Sequence, residues 1–533
     1  MTVLHASRAP TAGTGKSYLF DTVSAIATGQ LMPVISAGSN EAETEKRLVL
    51  VLLVLVISAG ALLRIAKLGS ESLWLDEAYS VYTSQESLPT IVQQTSGDVH
   101  PPLYYFALHY WIKLFGISEF ATRFLSVVFG VIAIAAIYQL ATLLFDRLTG
   151  LFSAALLAWS HFNIEFSQEA RMYELLALLS LGSFYFFLKL LRKEAGIGTW
   201  LGYIACTTLL TYTQVYSVFI LIAENVFFAF LFFSSREIFR RTLWRWIVSQ
   251  GTVLLLFLPW IFVLKRQIAE HKSFWIHPPT FFELRYSFLQ IAGSYELFLI
   301  LIPLAALPVA WALAEQFAKS HTPELNNEGN SLPLSRNEKI CFLFIWLASS
   351  TLLPFIASYF VTPFFLAKYT ICATLAFIIL AVRGIRMVPN RYLQIAVLAI
   401  VIAYAQSDLN DYWRHPRKDR WREAVAFFNQ KAQPGDLIVF SEPAGHQPFN
   451  YYSTHHELTE RPFPLYNNEF NADTVGSVLK PVVEDHNRVW LVLSHQVEKC
   501  ALVVKQMSAW YEVKEHQTEP GVELYLYEKK PTQ

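Results

Sequence analysis

This sequence predicts a polytopic α-helical membrane protein that ends in a small α/β domain. Of its 533 residues 54% are hydrophobic and only 16% are charged, and the apolar residues gather in runs long enough to cross a bilayer. After about residue 407 those runs stop, and short strand and helix signals alternate instead. The formal net charge is zero, which offers no electrostatic footprint for a nucleic-acid partner. Cys206, Cys341, Cys372 and Cys500 are scattered without metal-ligand or disulfide spacing, so each reads as a small buried hydrophobe.

Residues 1–47 are polar and carry no basic-then-apolar leader pattern; they read as a disordered cytoplasmic tail. Gly13-Thr14-Gly15-Lys16-Ser17 echoes a phosphate loop, but Pro10 stands where such a loop needs glycine, and no strand precedes it. A crossing helix takes about 20 apolar residues to cover about 30 Å of hydrocarbon. Segments 48–67, 120–144, 149–166, 169–190, 199–213, 215–234, 246–264, 295–317, 339–360, 369–385 and 391–406 meet or approach that requirement. Together they make a transmembrane region over 48–406.

Segment 103–116 is apolar too, yet at about 1.5 Å per residue it would reach only about 20 Å. Its Tyr105, His109 and Lys113 form a narrow polar stripe beside Phe106, Trp111 and Phe115, the pattern of a helix lying in the interface. Read that way, Lys189, Arg192, Lys193, the basic run 236–245 and Arg383, Arg386 and Arg391 all fall on one side. The positive-inside rule makes that side cytoplasmic, with the N-terminus.

On the opposite side lie the loop 68–119, the turn 167–173, the loop 265–294, the turn 362–369 and the tail 407–533. In the tail, 421–428 reads as a helix, and Pro434-Gly435-Asp436 turns into a buried strand at 437–440. A helix near 473–484, a strand at 489–493, another helix, and strands near 510–515 and 522–528 follow. That is enough chain for one small soluble domain. The aromatic and histidine-rich stretch 449–456 suits either a packed face of this domain or a surface that stacks on sugars.

Four polar constellations share the non-cytoplasmic side: Asp76 and Glu77 with Asp98 and His100; Glu169 and Arg171 in the turn; Lys265, Arg266, His271, Lys272 and His277 in the long loop; and Lys368-Tyr369. Acids in one loop and cations at the starts of later helices suit a site that holds a lipid phosphate while a carboxylate does the chemistry. Transfer from a sugar phosphate passes through an oxocarbenium-like transition state. A phosphate departs without a proton if cations stabilise it, so one aspartate suffices to deprotonate the acceptor on the opposite face of the ring. Asp76 is the candidate base, which implies inversion, and Glu77 is its helper or a structural cap. Each residue also has a plainer reading. The acid pair suits a helix N-terminus, His100-Pro101-Pro102 suits a turn, the loop histidines suit solvent, and Arg171 and Lys368 suit interfacial anchors.

Trp74-Leu75-Asp76-Glu77, then His100-Pro101-Pro102-Leu103-Tyr104-Tyr105 with Leu114-Phe115-Gly116, Ser118-Glu119 with Arg123, and Gln168-Glu169-Ala170-Arg171-Met172-Tyr173 come in that sequence. The set resembles the GT-C membrane glycosyltransferases, in particular the protein O-mannosyltransferase and aminoarabinose-transferase superfamily (glycosyltransferase family 39-like), over roughly residues 48–385. The resemblance implies about 11–13 transmembrane helices and a catalytic first external loop carrying Asp76. It implies a donor phosphate held near His100, Arg171 and Lys368, and substrate contacts from Tyr104, Glu169 and Tyr173. Two positions depart from the family pattern. His100 stands where some relatives have lysine, and Lys368 where arginine is common, losing the bidentate fork. Some relatives use a divalent metal (magnesium, manganese or zinc), for which Asp76, Asp98 and His100 could supply ligands.

The expected activity is therefore transfer of a sugar from a polyprenyl-phosphate carrier to a lipid, glycan or protein acceptor, on the extracytoplasmic face of a bacterial inner membrane. The rivals are an oligosaccharide ligase and a lipid-linked-sugar flippase. The flippase requires polar groups at mid-membrane depth, of which Glu224 is an example.

Overall fold

In hydrocarbon each backbone N–H and C=O must find its partner within the segment, so the apolar runs have to become helices. In the computed structural model they do. It describes residues 38–531 except 271–275, 319–331, 416, 442–444, 463–471 and 495–496. Gly13 to Ser17, His271, Lys272 and residues 1–37 of the expected tail lie outside the described residues. The first helix begins at Gly38, ahead of the expected start at 48.

Among the described residues nine helices are long and apolar enough to cross a membrane, and Arg147–Ala158 and Ile197–Thr211 are shorter apolar helices. The protein is a multi-pass membrane protein. Leu62, Phe233, Leu255 and Phe262 on these helices are exposed, an arrangement that only a lipid surround makes favourable. The expected span 149–166 is divided: Arg147–Ala158 ends, Ser160 is extended, and His161–Ser167 starts afresh. The carbonyls of Leu157 and Ala158 at the break each accept a bond from the buried Arg64 guanidinium at 3.1 Å. Glu224 is buried and accepts from Ser183 Oγ and Tyr203 Oη, both at 2.6 Å. Each of its oxygens is thus engaged by a hydroxyl within the bundle.

Leu103–Phe115 is a helix of 13 residues, as the interfacial reading requires. Its stripe is turned the other way, however. Tyr105 and His109 are buried against protein, while Tyr110, Leu114 and Phe115 are exposed. The polar atoms that seemed to seek water instead serve neighbours, His109 Nδ1 lying 2.9 Å from the Ser84 carbonyl.

The C-terminal part forms a mixed sheet of five strands: β1 (Leu437–Phe440), β2 (Thr459–Pro462), β3 (Arg488–Ser494), β4 (Tyr511–Glu519) and β5 (Val522–Lys529). Their spatial order is β2-β1-β3-β5-β4, with β1 parallel to β2 and β3, and β5 antiparallel to both its neighbours. Alternate side chains of β1 and β3 feed two apolar layers, Val439 and Leu491 on one face and Ile438 and Trp490 on the other. Sequence reading missed the helix His446–Tyr452 and the edge strand β2.

Candidate active site

Asp76 and Glu77 occupy the first turn of the helix Leu75–Gln85, where the macrodipole favours acids. Adjacent residues on a helix point about 100° apart, and here that rotation separates two environments. Glu77 turns inward and is fully buried. Arg123 donates to it bidentately, at 2.8 and 2.7 Å, and the Ala170 N–H and Lys418 Nζ donate at 2.9 and 3.1 Å. Burial opposes its charge, but Arg123, Lys418 and these bonds win and hold its carboxyl at about 2.

Asp76 turns the other way and stays partly exposed, its Oδ2 3.2 Å from Lys368 Nζ. Arg171 approaches the same turn, donating from Nη1 to the Asp76 carbonyl at 3.2 Å and to Ser80 Oγ at 3.1 Å. Burial raises the Asp76 carboxyl, but Arg171 and Lys368 outweigh it and leave it below the usual carboxylate range. Lys368 also sits over the rings of Trp74, Tyr173 and Tyr369, at 5.4, 6.0 and 5.8 Å, an aromatic cage that fixes the ammonium's direction. The loop 68–119, the turn 167–173 and the segment before Ile371 therefore meet at one point. The long loop belongs to the same end, since Arg266 donates to the Ser96 carbonyl at 3.2 Å. At the far end the basic residues collect, Arg383 and Arg386 flanking Asp146 and Arg241 reaching the Leu191 carbonyl.

The remaining candidates fare differently. His100 is buried beside Arg171, and burial together with that charge pushes its imidazole well below its usual value. Its Nδ1 has no hydrogen-bond partner among the described residues, and its ring meets that of Tyr369 edge-on at 6.3 Å. Tyr104 is fully buried with its hydroxyl spent 3.1 Å from Ser126 Oγ, and Ser126 in turn donates to the Arg171 carbonyl at 3.2 Å. Through Ser126 it supports the turn that carries Arg171. Tyr173 is also fully buried, packed on Phe166 and beneath Lys368. Glu169 is buried with Oε2 unpartnered. Burial, with Glu77 and Glu165 adding to it, raises its carboxyl to about 7 against Lys418 and Lys368.

Among the described residues no three His, Cys, Asp or Glu side chains gather as metal ligands. Asp76 is turned to Lys368, and burial raises the Asp98 carboxyl. Sequence reasoning missed Lys418, which lies in a charged stretch that reads as solvated, and the role of Arg123 as the partner of Glu77.

The whole-chain shape has parallels. The crystal structure of ArnT from Cupriavidus metallidurans in the apo state superimposes with a TM-score of 0.60 at 13% identity, covering 89% of this chain and 97% of that one. The chain has the GT-C fold. Two further structures share the GT-C fold with it. ArnT from the same organism bound to undecaprenyl phosphate matches with a TM-score of 0.55, 13% identity and the same coverage of 89% and 97%. The archaeal oligosaccharyltransferase AglB from Archaeoglobus fulgidus, in complex with an inhibitory peptide and a dolichol-phosphate, matches with a TM-score of 0.55 at 12% identity, covering 90% of this chain and 74% of that one. Residues 99–262 match the family model described as dolichyl-phosphate-mannose-protein mannosyltransferase. No curated protein matches the chain.

Proposed function

We propose that the protein is an integral-membrane glycosyltransferase, moving a sugar from a polyprenyl-phosphate carrier to an acceptor at the extracytoplasmic face of a bacterial inner membrane, with inversion. The observation that carries this reading is the meeting of Asp76, Arg171 and Lys368 at one turn, an acid and two cations drawn from three distant segments. Arg171 and Lys368 bring two cations to the one carboxylate of Asp76, a positive balance suited to a phosphate. The family match and the lipid-phosphate complexes of the GT-C structures support the same reading.

In this mechanism Arg171 and Lys368 grip the donor phosphate. The bond from the anomeric carbon to the phosphate oxygen breaks with its electron pair going to the phosphate, whose charge the cations stabilise. The acceptor oxygen or nitrogen bonds to the same carbon from the opposite face, and its proton passes to Asp76. Donor binding prepares the base. A phosphate between the cations draws Lys368 from Asp76 and shares the positive field that keeps the carboxyl acidic, so Asp76 becomes free and more basic when there is work for it. Glu77, whose oxygens are all engaged, serves as an anchor for the helix. Glu169, buried with Oε2 unpartnered among the described residues, is left to bond a sugar hydroxyl.

The test is a transfer assay on purified protein with a synthetic undecaprenyl-phosphate-linked sugar and envelope membranes as acceptor source. Asp76→Asn should abolish transfer while still binding undecaprenyl phosphate. Full activity in that variant would reject Asp76 as the base.

A further inference from the structure

The soluble domain is fastened to the Asp76 loop by polar contacts that the transfer chemistry does not use. Lys418 lies between the last long helix, Arg391–Arg414, and the first helix of the domain, Trp421–Lys431. Its Nζ donates to Glu77 Oε2 at 3.1 Å and to the Gln168 carbonyl at 3.0 Å. The first contact is next to the candidate base, and the second opens the turn that carries Arg171. Arg422 donates to Glu119 at 2.7 and 3.1 Å. Tyr452, in the domain, donates to Glu119 Oε1 at 3.0 Å and accepts the Leu73 N–H at 2.8 Å.

Glu77 needs only one cation to be neutralised in the interior, and Arg123 already provides it bidentately. Burying a second cation costs desolvation and rotamer freedom. What the ammonium adds is a tie from the domain to two backbone segments at once, the Glu77 turn and the residues before Arg171, which no other residue of the domain makes among the described residues. Those segments carry the base and one phosphate cation.

We propose that Lys418 is a positioning residue through which docking of the C-terminal domain sets Asp76 and Arg171 at their working separation. The proposal rests on the roles given to those two residues above. Because Arg123 still pairs with Glu77, replacing Lys418 by a neutral residue leaves no uncompensated carboxylate, and the fold should survive.

The experiment uses the full-length protein with a synthetic undecaprenyl-phosphate-linked sugar as donor, comparing Lys418→Met, Lys418→Gln and Lys418→Arg. In Met and Gln, kcat should fall roughly tenfold to a hundredfold, the effect expected of a sub-ångström to 1 Å misplacement. Affinity for undecaprenyl phosphate alone and the melting temperature should stay near those of the wild type, and Lys418→Arg should recover most of the rate. Wild-type kcat in either folded neutral variant overturns the proposal, as does a loss that appears only in melting temperature. Should the Met variant fail to fold, the Gln variant, which keeps a donor for the Gln168 carbonyl, decides alone. Asp76→Asn, run alongside, separates the two ideas: if it is inactive while the Lys418 variants are normal, only the positioning role fails.

Discussion

Asp76 and Glu77 are neighbours in sequence, yet one faces a cationic opening and the other a saturated ionic cluster. Sequence could place both acids in one loop but could not divide their labour, because the partners of Glu77 are 46 and 341 residues away. The same holds for His100. An isolated histidine titrates near neutral pH, whereas burial beside Arg171 pushes this one well below that range. Arg171 and Lys368 were more legible, since each is a lone cation at the start of an apolar run. The Glu77 cluster has a testable pH signature. Its carboxyl drops from an ordinary 4.5 to about 2 on folding, so the stability it contributes is full above about 4.5 and is lost as pH falls through about 2. Glu77→Gln leaves Arg123 and Lys418 facing a neutral amide, and should cost about 3–5 kcal/mol at neutral pH. Melting curves should show the gap between wild type and Glu77→Gln closing across that acidic window. A gap that does not change with pH would remove Glu77 from its place as an ionised anchor.

At the scale of elements, apolar runs announced the spans because length and hydropathy are what hydrocarbon selects. The split of 149–166 was hidden, since no proline or glycine marks it and the break is stabilised by Arg64 from another helix. In the domain, β1 and β3 were readable as buried apolar runs. Strand β2 was not: Thr459-Glu460-Arg461-Pro462 is polar and ends in proline, as an edge strand can. Helix contacts also depend on single residues. A side chain on Gly384 would place its Cβ 1.9 Å from the Leu304 carbonyl oxygen. That carbonyl lies four residues before Pro308, whose ring nitrogen cannot bond it, so helices Tyr295–Ala318 and Ile371–Met387 meet backbone to backbone there. Gly384→Ala should therefore destabilise the bundle by about 1–3 kcal/mol. Gly251→Ala, where a Cβ meets nothing within 4 Å, should be neutral or mildly stabilising. Thermal melts of the two variants in one detergent check the contrast, and equal effects would contradict the close approach.

Over the whole molecule, the sequence showed that the acidic loop, the Arg171 turn and the Lys368 turn share one side. The bundle then brings them within hydrogen-bonding distance. What no local pattern announced is that the C-terminal domain reaches back to this site through Lys418, Arg422 and Tyr452. The loop that carries Asp76 is thus held from two directions, by the bundle through Arg123 and by the domain through Lys418.

The claim on which the rest depends is that Asp76, Arg171 and Lys368 form one donor site. An experimental structure with undecaprenyl phosphate bound tests it most directly. The phosphate should lie within hydrogen-bonding distance of both Arg171 and Lys368, with the Asp76 carboxylate released from the lysine. A phosphate seated elsewhere, with the Asp76–Lys368 pair intact, would contradict it.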